Sequence, residues 1–136
     1  MSQSDTQADN RALVEELARR FQSGDRAGAM QLFHPEIRIE QPGSLPHGGW
    51  HVGHGGMADM GSEFGRHWDR TIADPRIFGC GPTVVQITTQ TWTAKQTGRA
   101  ATVDVAELIT VTDGKVSEIR VFQQDTHLLL ATLNER

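Results

Sequence analysis

The polar and apolar positions open in helical register. Leu13, Leu17 and Phe21 recur four apart, and Val14 and Ala18 widen the stripe, which predicts a helix over Asn10–Gln22. Ser23-Gly24 ends it. Asp25 is placed to cap a second helix carrying Ala29, Met30, Leu32 and Phe33, which stops before Pro35. Ile37–Gln41 is a short strand closed by Pro42, and Gly43–Gly53 reads as a loop of Gly, Pro and His. A third helix, about Gly55–Trp68, sets Met57, Met60, Phe64 and Trp68 on one side. Gly55, Gly56, Gly61 and Gly65 each cost that helix up to about 1 kcal/mol relative to Ala, so tertiary packing has to hold it.

The period then switches to two. Thr71–Phe78, Thr83–Ala94, Arg99–Thr112 and Lys115–Gln124 are predicted strands of an antiparallel meander. Gly79-Cys80-Gly81-Pro82, Gln96-Thr97-Gly98 and Asp113-Gly114 punctuate them as turns. Leu128–Leu133 is a short apolar helix that packs back. Helices first and a curved meander after predict an α+β layer fold, with one domain over residues 10–136 and residues 1–9 as a polar, disordered tail.

Within the third of these strands the odd positions are Ala101, Val103, Val105, Glu107, Ile109 and Val111. Alternate side chains of a strand share one face, so one carboxyl group stands in the middle of an apolar surface. Such a charge is costly unless paired, hydrogen-bonded or neutralised. Burial among valines raises a carboxyl pKa, by up to about 3–5 units in the extreme, which suits a proton donor working near neutrality. Glu107 is therefore the leading catalytic candidate. The competing account is a structural glutamate bonded to a neighbouring strand or to Arg120.

Composition narrows the function classes. A chain of 136 residues with 37% apolar residues supports one core. Its net charge of −4, with acids and bases interspersed, gives no basic stripe for nucleic acid and no polybasic membrane patch. No apolar run is long enough for a bilayer span. The polar start and the single cysteine, Cys80, lead us to expect a cytoplasmic protein without disulfides.

Other residues compete for roles. Gln41 shares a face with Ile37 and Ile39 and is a candidate to orient a reacting oxygen, or a satisfied polar core residue. Trp92 lies on a face with Val84, Gln86, Thr88 and Gln90, as a pocket wall or a core aromatic. Asp125 falls with Val121 and Gln123 by strand alternation, as a rim acid or the cap of the last helix. Asp104 falls on the opposite face from Glu107. His47, His51 and His54 invite a metal site, but no helix or strand fixes their geometry, so they read as loop residues, with His47 or Trp50 as gates of a pocket mouth. Gly53-His54-Gly55-Gly56-Met57-Ala58 fits a dinucleotide fingerprint in spelling only, since no βαβ unit surrounds it. Cys80 between two glycines reads as a turn residue. Nothing calls for a cofactor.

The order of elements resembles the NTF2-like superfamily, in its SnoaL-like polyketide cyclase and ketosteroid isomerase branch. The resemblance rests on Ile39-Glu40-Gln41-Pro42 after the second helix, on Leu45-Pro46-His47-Gly48-Gly49 with Val52-Gly53-His54, and on Asp113-Gly114-Lys115-Val116 with Ile119-Arg120-Val121-Phe122. It spans about residues 10–134 and implies a cone-shaped fold, a homodimer and one deep pocket per subunit. The isomerase base falls on Gln41 and its tyrosine on Leu17, and the chain has no tyrosine; its neutral carboxylic acid falls on Glu107. The last-strand acid of the cyclases and of epoxide-hydrolase relatives falls on Val121. The resemblance thus implies a cofactor-free acid/base enzyme of isomerase, cyclase, dehydratase or hydratase type, acting on a small, largely apolar oxygenated molecule. Glu107 and Gln41 would be catalytic, and Trp92, Val121, Phe122, Gln123, Asp125, Leu17, Trp50 and His47 would line the site. A non-catalytic binding protein, an epoxide hydrolase-like enzyme and a structural dimerisation domain are the alternatives.

Overall fold

The computed structural model describes residues 3–134. Helix α1 runs Gln3–Gln22, so the segment expected as a tail is helical from Gln3; Met1 and Ser2 lie outside the described residues. Helix α2 is Arg26–Met30, capped by Asp25, whose Oδ1 accepts from Gly28 N at 2.9 Å. It stops earlier than predicted because Phe33 already opens strand β1, Phe33–Gln41. Pro35 sits where the β1 register slips between Phe33 and Arg38, a place where its missing N–H does no harm. Strand β2, Gly49–Val52, and helix α3, Gly53–His67, follow. The meander is β3 Trp68–Cys80, β4 Thr83–Ala94, β5 Ala100–Thr112 and β6 Lys115–Gln123, and α4, Thr126–Ala131, closes the chain.

The six strands form one mixed sheet in the order β2-β1-β6-β5-β4-β3. Every pairing is antiparallel except β1 with β6. β2 and β3 are free edges, so the curved sheet is not closed. Long strands curve where pairing slips: β3 breaks register between Ala73 and Arg76, with Asp74 at φ 52°. The β5–β6 hairpin turns through Asp113 and Gly114, both at positive φ, as a two-residue primed turn requires.

The inner face packs against α1, which crosses β3 and β4, and against α3, which lies on β1 and β2. Cross-strand partners on that face carry the core, among them Val84 with Ile109, Thr88 with Val105, Trp92 with Ala101, and Ile39 with Ile119. Its apolar contacts, repeated on every strand, are the main stabilising term. The outer face holds Thr89, Thr91, Thr102 and Asp104, joined by hydrogen bonds, and exposes Phe78 and Phe122.

Candidate active site

Glu107 stands where its alternation places it, on the inner face of β5. Its cross-strand partners are Gln86 on β4 and Val121 on β6. Continuing the β1–β6 register one residue past Glu40–Arg120 sets Gln41 beside Val121. Gln41, Val121, Glu107 and Gln86 thus form one row across four strands. With strands spaced about 4.8 Å apart, the backbones of Gln41 and Glu107 are separated by about 10 Å. Val121 is the residue between them.

The carboxyl of Glu107 accepts from Gln86 Nε2 at 2.9 Å. Arg120 is taken by Glu40, 2.8 Å away on the outer face, so the Arg120 pairing considered for Glu107 does not occur. The protein packed around the Glu107 carboxyl pushes its pKa up, and the Gln86 hydrogen bond and the Arg70 charge oppose that rise. Asp104 faces the other way, accepting from Thr89 Oγ1 at 2.8 Å.

Gln41 Nε2 reaches Met60 Sδ on α3 at 3.5 Å, and Gln41 lines a 360 Å³ cleft with Val121, Gln123 and Thr126 at the end of β1 and β6. Gln123 Oε1 and Gln86 Oε1 are buried without a partner, and Gln123 is the one of the two that lines the cleft. A larger hollow of 830 Å³ lies away from this row, between α1 and α2, and is lined by Glu16, Arg19, Arg20 and Asp25.

The other expected lining residues are spread over the fold. Phe122 projects from the outer face beneath the Arg120 guanidinium, because it alternates with Val121, and it lines the cleft at the ends of β1 and β6 with Gln41 and Val121. Trp50 pairs with Glu40 and lies under Arg38 on that same outer face, 4.4 Å from its guanidinium carbon, so it gates no inner pocket. Asp125 caps α4, accepting from Leu128 N at 3.0 Å, and its carboxylate serves the helix. Leu17 and Trp92 are buried in the core, and Trp92 Nε1 donates to Gln90 Oε1 at 2.9 Å, while Gln90 Nε2 donates to Thr88 Oγ1 at 3.0 Å.

His47 is the largest departure. It is 3% exposed, inside the core and not at a mouth. The loop folds under itself through Leu45 N to Pro42 O and Gly48 N to Leu45 O, and a Cβ on Gly48 would sit 2.5 Å from the Pro42 carbonyl. That turn drives Leu45 and His47 inward. The imidazole meets Phe64, Trp68 and Trp92 with ring centroids 5.3, 6.1 and 5.8 Å away, and its Nδ1 has no partner. His51 Nε2 donates to the His47 carbonyl at 2.7 Å and His54 Nε2 to the Phe33 carbonyl at 3.3 Å, so the three histidines do not converge.

Burial lowers the His47 pKa to about 4, with Arg70, His51 and His67 adding to the fall and Glu63 opposing it. The unfolded chain takes up a proton near 6.5, whereas the folded chain resists until about 4. At about 1.4 kcal/mol per pKa unit, roughly 3 kcal/mol of stability present at pH 7 is lost as pH falls through that window. Urea midpoints at pH 7 and pH 4 are expected to show this slope, and His47→Phe is expected to flatten it.

Sequence reasoning missed Arg70 and the bonding role of Gln86. Arg70 pairs with Trp92 across β3 and β4 and therefore shares the inner face, where its guanidinium lies 4.8 Å from the centroid of Phe64. Ending the predicted strand at Thr71 hid it; extending the alternation back through Trp68 would have found it.

A SnoaL-like domain model matches residues 14–119. The chain belongs to the SnoaL-like family. Solved structures agree on the NTF2-like fold of this SnoaL-like chain. An NTF2-like protein from Burkholderia xenovorans LB400 is 26% identical, superposes with a TM-score of 0.81, and the alignment covers 93% of this chain and 97% of that one. TerC, co-crystallised with polyporic acid, is 22% identical with a TM-score of 0.82, covering 92% and 98%. A protein named as a candidate polyketide cyclase from Pseudomonas putida KT2440 is 13% identical with a TM-score of 0.74, covering 91% and 97%. None of the curated proteins compared with the chain matches it. No helix among the described residues is long and apolar enough to cross a membrane.

Proposed function

We propose that this SnoaL-like protein is a cofactor-free acid/base catalyst acting on a small oxygenated organic molecule, with Glu107 as the proton donor. The observation that carries the reading is the Glu107 carboxyl on the inner face, fixed by Gln86 and made reluctant to ionise by the protein around it. A carboxylic acid kept neutral near pH 7 hydrogen-bonds a carbonyl, enol or epoxide oxygen and transfers its proton as negative charge develops there. Gln41, one strand beyond Val121, orients that oxygen or the water that follows it. The neighbours named as candidate polyketide cyclases and the ligand seen with TerC support a substrate of this general kind.

Val121 occupies the place of a second acid, so the site supplies one proton-transfer group and favours isomerisation, cyclisation or dehydration over chemistry that needs two carboxyl groups. The same observation favours, as a second reading, a protein that binds such molecules without turnover. The deciding measurement is a carbon-detected NMR titration of Glu107, assigned through Glu107→Gln. A carboxyl that titrates well above 4.5 is the expected result. One that titrates as an ordinary exposed glutamate removes the basis of the donor role.

A further inference from the structure

We infer that Arg70 is the anion-recognising residue of this cavity, and that the substrate carries an anionic oxygen, as a carboxylate or a deprotonated enol, held by its guanidinium. The inference rests on the proposed site only for the location of the cavity.

Arg70 alternates with Trp68 and Ile72 on the inner side of β3, directly across from Trp92. Its guanidinium lies over Phe64, 4.8 Å from the ring centroid. Stacking occupies the flat face of the fork and leaves its N–H edge directed elsewhere, the arrangement that suits bidentate recognition of a carboxylate. Among the described residues Arg70 has no carboxylate within ion-pair distance and no hydrogen-bond acceptor. Glu16, Glu40, Glu63, Asp69, Asp104 and Glu118 all pair with other cations. The surrounding protein makes its charge less favourable, and Glu107 is the group that offsets this. Its side chain is exposed and no acceptor among the described residues takes its five donors, so an incoming anion meets them without first displacing an ion pair.

A second group at the same place is also unmatched. His47 packs on the same Phe64 ring, 5.3 Å away between centroids, and its Nδ1 is buried without a partner. Of the two, His47 lies behind the ring in the core, and the exposed Arg70 is the one an incoming ligand can reach. Phe64 is itself braced edge to face by the buried Trp92, 4.8 Å away between centroids, so the ring under the guanidinium is held in place.

The test uses a matched pair of ligands, 2-naphthoate and its neutral isostere 2-naphthamide, titrated calorimetrically at pH 7 into the wild-type protein, Arg70→Gln and Arg70→Lys. The wild type is expected to prefer the carboxylate. Arg70→Gln is expected to weaken naphthoate by about tenfold to a hundredfold, the range for a lost charge-assisted hydrogen bond, and to leave naphthamide within about twofold. Arg70→Lys keeps the charge but not the fork, and should fall between. Equal weakening of both ligands would reveal a packing role and overturn the inference. So would unchanged naphthoate affinity in a folded Arg70→Gln protein, or a wild type that binds the amide as well as the acid or binds neither. This selectivity does not depend on proton transfer by Glu107, so an ordinary Glu107 titration would defeat the catalytic proposal and leave the Arg70 result standing.

Discussion

Glu107→Gln is expected to lower turnover by about a hundredfold to ten-thousandfold, the span associated with a positioned general acid. The replacement preserves the shape of the side chain, and its amide oxygen still accepts from Gln86 Nε2, so the inner face keeps its packing. What disappears is the transferable proton. Stability supplies a control that needs no substrate. A carboxyl whose folded pKa is raised contributes stability that is fully present below the unfolded value, 4.5, and is lost as pH rises through the folded value. The wild type should therefore lose stability as pH climbs out of the acid range, and Glu107→Gln should not. This runs opposite to the His47 contribution, which grows with pH between about 4 and 6.5, so the two variants separate the two slopes. Full turnover in Glu107→Gln, with the fold confirmed by circular dichroism, would leave Glu107 a structural residue.

The sheet face of Glu107 was legible because period-two alternation is a local property and β5 is long enough to state it clearly. β4 was read with its observed ends, Thr83 and Ala94, for the same reason, and the two-faced character of Asp104 and Glu107 followed. The loop carrying His47 was not legible. Its course depends on the Pro42 carbonyl closing over Gly48 and on a space between Phe64, Trp68 and Trp92 that three distant segments create. Alternation sends Phe122 to the outer face, and it still reaches the cleft beside Gln41 and Val121 because that cleft opens at the strand ends, where Glu40 and Arg120 also line it. Asp125 offered two chemically sensible roles, and only the hydrogen bond to Leu128 N distinguishes them. Trp50 lay inside a segment read as loop, so no face was assigned to it; the β1–β2 pairing supplies one.

Trp68→Ala is expected to cost about 3–5 kcal/mol, the usual range for removing a large buried aromatic, and that is a large part of the roughly 5–15 kcal/mol that holds a domain together. Trp68 is 1% exposed at the junction of α3 and β3, where it joins elements far apart in sequence. Its ring stacks at 5.6 Å on Phe64 and lies 5.0 Å from Trp92, between centroids. Its Nε1 donates to Thr132 Oγ1 at 2.8 Å, and Thr97 Oγ1 donates to the Thr132 carbonyl at 2.6 Å, so the C-terminal segment is tied to the sheet through this point. Removing the indole opens a cavity beside His47 and leaves the end of α4 with one anchor fewer. Thr132→Val removes the acceptor of the indole N–H together with the Oγ1 donor to the Leu129 carbonyl, and should cost about 1–3 kcal/mol, chiefly by orphaning the indole N–H. Trp68→Phe keeps most of the ring packing and should fall below the alanine variant. Urea unfolding followed by circular dichroism ranks the three. If Trp68→Ala unfolds at nearly the wild-type midpoint, the aromatic cluster is not the element that holds Phe64 and His47 in place.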